Sequence, residues 1–181
     1  MSDRDVEFIE VDPVSQAAVA AVSRYYEELA QRFPEGFDVE AYASGTTVVD
    51  EPSRFVLATR DGVPVACGTL RSLGDGIAEI KRMWVDPAVR GIGLGRRLLS
   101  YLESLASRDG YRAIRLDTNG SLIEAIALYD RAGYRRIPRY NDNPYAQLWF
   151  EKVLVDPSAS LGQRGNGRPE RWQLRSPYRD S

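Results

Sequence analysis

Apolar and polar positions along this chain follow two rhythms, one of period two and one near 3.6, and together they lay out a mixed fold. VEFIEV (6–11) reads as a short strand, and from Ser15 to Gln31 the residues Val19, Val22, Tyr26 and Leu29 recur near helical spacing. RFPEGFD (32–38) breaks that helix at Pro34 and Gly36, and a short second helix is expected over 39–43. RFVLATR (54–60) and VPVACGTLR (63–71) are strand-like runs joined by Asp61-Gly62, a pair that tolerates the positive φ of a tight hairpin turn. GDG (74–76) turns into a further strand, IAEIKRMWV (77–85). Leu94, Leu98, Leu102 and Leu105 then form one stripe of a helix that Asp109-Gly110 ends.

YRAIRLDT (111–118) predicts another strand, and Leu122 to Ala132 another helix, with Leu122, Ile126 and Tyr129 on one face and Gly133 at the C-terminal cap. YRRI (134–137) and QLWFEKVL (147–154) complete the strands. The order of elements is that of an α/β or α+β fold, with one domain over residues 1–155. From Asp156 the composition turns to Gly, Pro, Ser and Arg, so residues 156–181 read as a poorly ordered tail outside the core.

Composition narrows the chemistry. The 181 residues are 43% hydrophobic and 28% charged, ordinary for a globular protein large enough to bury a core. No apolar run approaches the roughly 20 residues that span a bilayer, and the first residues carry no apolar signal core, so no membrane partner and a cytoplasmic location are expected. A formal net charge of −2 argues against a general nucleic-acid binder. The chain has no histidine, which removes every His-based triad, dyad or metal cluster and leaves carboxylates, tyrosines or water for proton transfer. Cys67 is the single cysteine, mid-strand between Ala66 and Gly68, and reads as core rather than nucleophile.

DPAVRGIGLGRRL (86–98) places three glycines on alternate positions between a strand and a helix, the arrangement that holds phosphates on unpaired helix-start amides. A Walker loop needs GxxxxGK[ST], which is absent, and the dinucleotide fingerprint fails because Arg96 stands where its third glycine belongs. Arg90-Gly91-Ile92-Gly93-Leu94-Gly95 instead resembles the (R/Q)xxGx(G/A) loop of the GNAT superfamily of N-acetyltransferases. EIKRMWV before it and LYDRAGY after it resemble that family's flanking signatures, over roughly residues 6–154.

The resemblance implies a mostly antiparallel sheet of six to seven strands, helices on both faces, and a splay between the fourth and fifth strands. It implies acetyl-CoA as co-substrate, with no metal. Its pyrophosphate would rest on the loop, Arg90, Gly91, Ile92, Gly93, Leu94 and Gly95, with Arg96 or Arg97 reaching other phosphates. The pantetheine arm would pair with the backbone of Met83, Trp84 and Val85, one of whose amides would hold the oxyanion. Many members carry asparagine where this chain has Leu122, and Asn119 is the nearby substitute. Tyr129 falls on the tyrosine that protonates the departing sulfur. Glu79 falls on an acidic position that removes the amine proton, often through water; strict alternation puts it on one strand face with Lys81 and Met83.

In this fold the acceptor side is formed by YYEELAQRFPEGFD (25–38) and IPRYNDNPYAQLW (137–149), which nominates Arg32, Phe33, Arg71, Tyr140, Asn141 and Asp142 as substrate-binding. Arg32, Arg71 or Arg139 would hold a substrate carboxylate, and Asp142 or Glu35 an ammonium. The leading expectation is acetylation of a small-molecule primary amine (amino acid, polyamine or antibiotic-like) by direct attack. Acetylation of a protein N-terminus or lysine, and a non-catalytic acyl-CoA sensor, are the alternatives. Family analogy suggests a homodimer.

Overall fold

The structure is a computed structural model that describes residues 6–44 and 53–154. The chain segment from Asp156 onward therefore lies outside the described residues. Seven strands form one sheet: β1 (Glu7–Val11), β2 (Arg54–Arg60), β3 (Val63–Gly74), β4 (Ile77–Val85), β5 (Ala113–Thr118), β6 (Arg135–Ile137) and β7 (Leu148–Val153), in the spatial order β1-β2-β3-β4-β5-β7-β6. Neighbours run antiparallel except β4 and β5, which are parallel because α3 (Leu94–Arg108) carries the chain across between them. The other helices are α1 (Gln16–Arg32), α2 (Val39–Ser44) and α4 (Ile123–Arg131). Each expected element is present, with no end moved by more than three residues.

Local chemistry explains the elements. Ser15 caps α1 by accepting the Ala18 amide at 3.3 Å. Asp61 (φ 50°) and Gly62 (φ 76°) take the paired positive φ that the β2–β3 hairpin demands. The leucine stripe of α3 packs on one face of the sheet, where Leu98, Leu99, Leu102 and Leu105 are 0–1% exposed. Burial of each contributes about 1.5–3 kcal/mol against exposure. On the opposite face Ala18 and Ala21 of α1 sit against Phe55, Leu57, Cys67 and Trp84.

One irregularity sets the site. Cys67 pairs with Trp84 and Thr69 with Lys81, so Gly68 of β3 stands opposite two residues of β4, Arg82 and Met83. Arg82 takes φ +51°, left-handed and uncommon for a side chain of its size. Its guanidinium Nε donates to the Tyr26 hydroxyl at 3.0 Å, and its carbonyl accepts the Cys67 thiol at 3.5 Å. A Cβ at Gly68 would lie 2.8 Å from Leu102 Cδ1, so any larger residue here must push that leucine aside. The bulge reverses the alternation. Trp84 now shares a face with Lys81, and Met83 packs with the cluster under α3. The expectation that Met83 shares a face with Glu79 and Lys81 is therefore corrected, because period two does not survive an inserted residue.

Candidate active site

Pairing between β4 and β5 stops at Glu79–Arg115, although β4 runs on to Val85 and β5 to Thr118. The strands part there, and a larger cleft and a smaller inner cavity share the residues Met83 and Tyr129. The cleft, about 350 Å³, is bounded by Met83, Trp84 and Val85 on one side and by Leu122, Leu128 and Tyr129 on the other.

The glycine loop closes one end of this cleft. Asp86 caps a single 3₁₀ turn, Pro87–Val89, through the Ala88 amide at 2.8 Å, and aims the chain at the helix start. Gly93 is the N-cap of α3 at φ +85° with no side-chain cap bond, so the first amides of the helix lack a side-chain partner. Gly91, Gly93, Leu94, Gly95, Arg90 and Arg96 all line the cleft. Ile92 does not; it turns inward against the core. Arg97 also turns away, donating to the Val6 carbonyl at 2.9 Å.

Charge in the cleft is organised by Glu28, which sequence reasoning did not single out. Its carboxylate accepts from Arg90 at 2.6 Å, from the Trp84 indole at 2.9 Å and from Arg32 at 3.1 Å. Burial alone would raise the pKa of Glu28, but Arg90, Arg32 and the indole outweigh it and hold the group below the usual carboxylate value. Arg32 continues to Glu124 of α4 at 2.7 Å. Arg32 thus belongs to the cleft rather than to the acceptor side, where the sequence reading had put it. With Arg96 and Arg131, the described residues of the lining hold four arginines against two glutamates, a net positive surface suited to a polyanion.

The inner cavity, about 60 Å³, shares Met83, Tyr129, Tyr25 and Leu122 with the cleft and is walled further in by Lys81, Asp117 and Asn143. Lys81 donates to Asp117 at 2.6 Å and lies 3.5 Å from Glu79. Burial pulls the Lys81 ammonium toward neutrality, yet Asp117 and Glu79 outweigh it and raise its pKa, so it is cationic. Asp117 also accepts from Asn141 and, at 2.7 Å, from Asn143. Asp117 is the carboxylate in this lining; the alternation of YRAIRLDT, which sets it on the face of Arg115, was the available signal.

Glu79 is fully buried just behind that wall. Its oxygens accept from Arg71 at 2.6 Å, from the Tyr140 hydroxyl at 2.8 Å and from Asn141 at 3.2 Å. The structure therefore gathers Arg71, Tyr140 and Asn141 around Glu79, but none of the four lines the inner cavity. Asp142 points to solvent and pairs with Arg139 at 3.1 Å. Asn119 donates to the Tyr145 carbonyl at 2.9 Å and lines the acceptor-side cavities, so it is not brought to the cleft as the sequence reading supposed.

Tyr129 stands at the junction, lining both spaces, with its ring 5.8 Å from Phe150 and 5.9 Å from Tyr134. Burial, with Asp117 and Tyr42 nearby, pushes its hydroxyl pKa well above the ordinary phenol value. Its hydroxyl therefore stays protonated at any physiological pH. Cys67 is buried as expected, and burial pushes its thiol up to about 12. Among the described residues there is no group of three or more metal-ligating side chains, and no helix is long and apolar enough to cross a membrane.

A glycine-loop helix start, a net positive cleft and a splayed strand pair leading to a buried tyrosine define an acyl-CoA-dependent transferase. The sequence model of the Acetyltransferase (GNAT) family matches residues 21–134, and the chain belongs to that family. It is 38% identical over 112 residues to an IAA acetyltransferase of Azospirillum brasilense, covering 60% of this chain and 72% of that protein. A GNAT-family acetyltransferase from Staphylococcus aureus superposes with a TM-score of 0.71 at 17% identity, covering 83% of this chain and 99% of the other. A GNAT acetyltransferase from Elizabethkingia anophelis, solved with acetyl-CoA bound, gives 0.59 at 16% identity, covering 84% and 100%. The protein is an N-acetyltransferase, which removes the non-catalytic sensor from consideration.

Proposed function

We propose that the protein transfers an acetyl group from acetyl-CoA to the primary amine of a small molecule by direct attack. The observation that carries this reading is the meeting of the cleft and the inner cavity at Tyr129 and Met83. The bound thioester supplies the acetyl carbon: a nitrogen–carbon bond forms, the carbon–sulfur bond breaks, and amide and free thiol result.

The glycine loop and Arg96 hold the pyrophosphate, while the backbone of Met83, Trp84 and Val85, unpaired on the β5 side, holds the pantetheine arm. An amide of that segment, re-aimed by the bulge at Arg82, stabilises charge on the carbonyl oxygen. Tyr129 gives its proton to the departing sulfur. Lys81 faces the entering amine as a fixed cation and repels its protonated form, so the nitrogen arrives neutral. Asp117 takes the remaining proton directly or through water. Glu79 acts one layer back, as a positioning residue that fixes Lys81, Tyr140 and Asn141.

The test is release of free thiol from acetyl-CoA across a panel of small amines and peptides. Turnover of small amines is expected. Turnover of peptide N-termini or lysines alone would replace the small-molecule reading with the protein-acetylating one.

A further inference from the structure

Beyond the inner cavity lies an outer one of about 640 Å³, which shares Phe33, Asn119 and Tyr145 with it and so continues the path from Tyr129 to solvent. We infer that this vestibule binds a second, distal cationic group on the acceptor, making the substrate class a diamine or polyamine. This deepens the acceptor reading above and rests on it.

The charges in the vestibule lining are those of a cation site, beside the neutral polar side chains of Asn119, Ser121 and Gln147. Among the described residues its charged lining is Glu35 and Asp38, both exposed, with no arginine or lysine. Its apolar wall is aromatic: Phe37 lies 4.9 Å from Tyr145 and 5.6 Å from Phe33, ring centre to ring centre. Ring faces beside carboxylates attract ammonium groups. Asp38 spends one oxygen on the Glu40 and Ala41 amides at 2.9 and 3.0 Å, whereas Glu35 carries its carboxylate on the exposed turn between α1 and α2.

The sequence left open whether the acceptor tail is a carboxylate or an ammonium, and the vestibule charges favour the ammonium. Arg71 is spent on Glu79, Arg32 on Glu28 and Glu124, and Arg139 on Asp142, and none of the three lines the vestibule. At the inner end the Lys81 cation favours a neutral nitrogen. A diamine satisfies both ends, since its distal ammonium stays charged beside Glu35. That charge also weakens proton affinity at the reacting end.

The experiment compares kcat/KM for a linear diamine, the monoamine and the ω-amino acid of equal chain length, each with saturating acetyl-CoA. The diamine is expected to exceed both others by about fivefold to tenfold, mainly through KM. Glu35→Gln narrows that preference about threefold, and Glu35→Lys shifts it toward the ω-amino acid. Equal efficiencies, a wild-type preference for the ω-amino acid, or a diamine preference that Glu35 variants leave intact would each overturn the inference while sparing the acceptor reading. Absence of turnover with all three, when acetyl-CoA still binds, would remove both.

Discussion

Arg90 and Glu28 meet across the rim of the cofactor cleft, with one guanidinium nitrogen 2.7 and 2.6 Å from the two carboxylate oxygens. The pair ties the glycine loop to α1, and the Trp84 indole ties the same carboxylate to β4. It also sets a negative charge beside the glycine loop proposed to hold the pyrophosphate.

Glu28→Gln is accordingly expected to loosen the fold while tightening the cofactor. Loss of charge-assisted bonds at a side chain 15% exposed costs about 1–3 kcal/mol, seen as a lower melting temperature. Acetyl-CoA affinity rises about twofold to fivefold at low salt, a gain that disappears as salt screens it. Because the folded pKa of Glu28 is depressed, its contribution is present above the usual value of 4.5 and is lost as pH falls through the lower folded value. Titration calorimetry and melting curves decide it; an unchanged melting temperature would deny the carboxylate its role as a tie.

Tyr129→Phe should lower turnover by about 10²-fold, with acetyl-CoA affinity nearly unchanged, since only the hydroxyl is removed. The raised pKa of Tyr129 also predicts that kcat/KM keeps rising with amine deprotonation and shows no alkaline fall near the ordinary phenol value of 10.0. A descending limb at that pH, absent in the phenylalanine variant, would place the Tyr129 pKa lower than burial implies.

Two substitutions at Gly93 separate strain from charge. An added Cβ meets nothing within 4 Å, so Gly93→Ala should cost only the strain of its left-handed φ, about 1–2 kcal/mol of stability, and still bind acetyl-CoA. Gly93→Glu adds a negative charge at the pyrophosphate and should abolish binding. Wild-type affinity in the glutamate variant would mean that the phosphates lie elsewhere.

Lys81 and Asp117 form an ion pair whose side chains are each 4% exposed. Asp117→Leu alone leaves a buried cation with only Glu79 nearby and should destabilise by about 3 kcal/mol. Adding Lys81→Met should recover much of that loss while leaving turnover low. The stabilisation linked to the raised Lys81 pKa is present just below the ordinary lysine value of 10.5 and is lost as pH rises through the higher folded value. Additive destabilisation in the double variant would show that the two side chains are not coupled.

The elements and the donor were legible in the chain itself. Leucine spacing through residues 94–105 requires a helix buried on one stripe, and Asp61-Gly62 requires a tight turn, because these are local demands of backbone and solvent. The loop at residues 90–95 carried the family resemblance for the same reason: glycines that bare helix-start amides favour an anion there. Contacts between distant segments were not legible. Glu28 looked like one more helix-surface carboxylate until α1 crossed the loop and gave it Arg90 and Trp84.

Glu79 has the sequence of a general base. The structure buries it, because Arg71, Tyr140 and Asn141, from β3 and the β6–β7 connection, close over it. Met83 changed faces because an extra residue opposite Gly68 broke a period that the sequence presents as unbroken. Propensity and patterning act within a few residues and fix the elements and the loop. Which charges pair, which carboxylate meets a cavity and which is enclosed depends on side chains far apart in sequence, and only the packed sheet decides that.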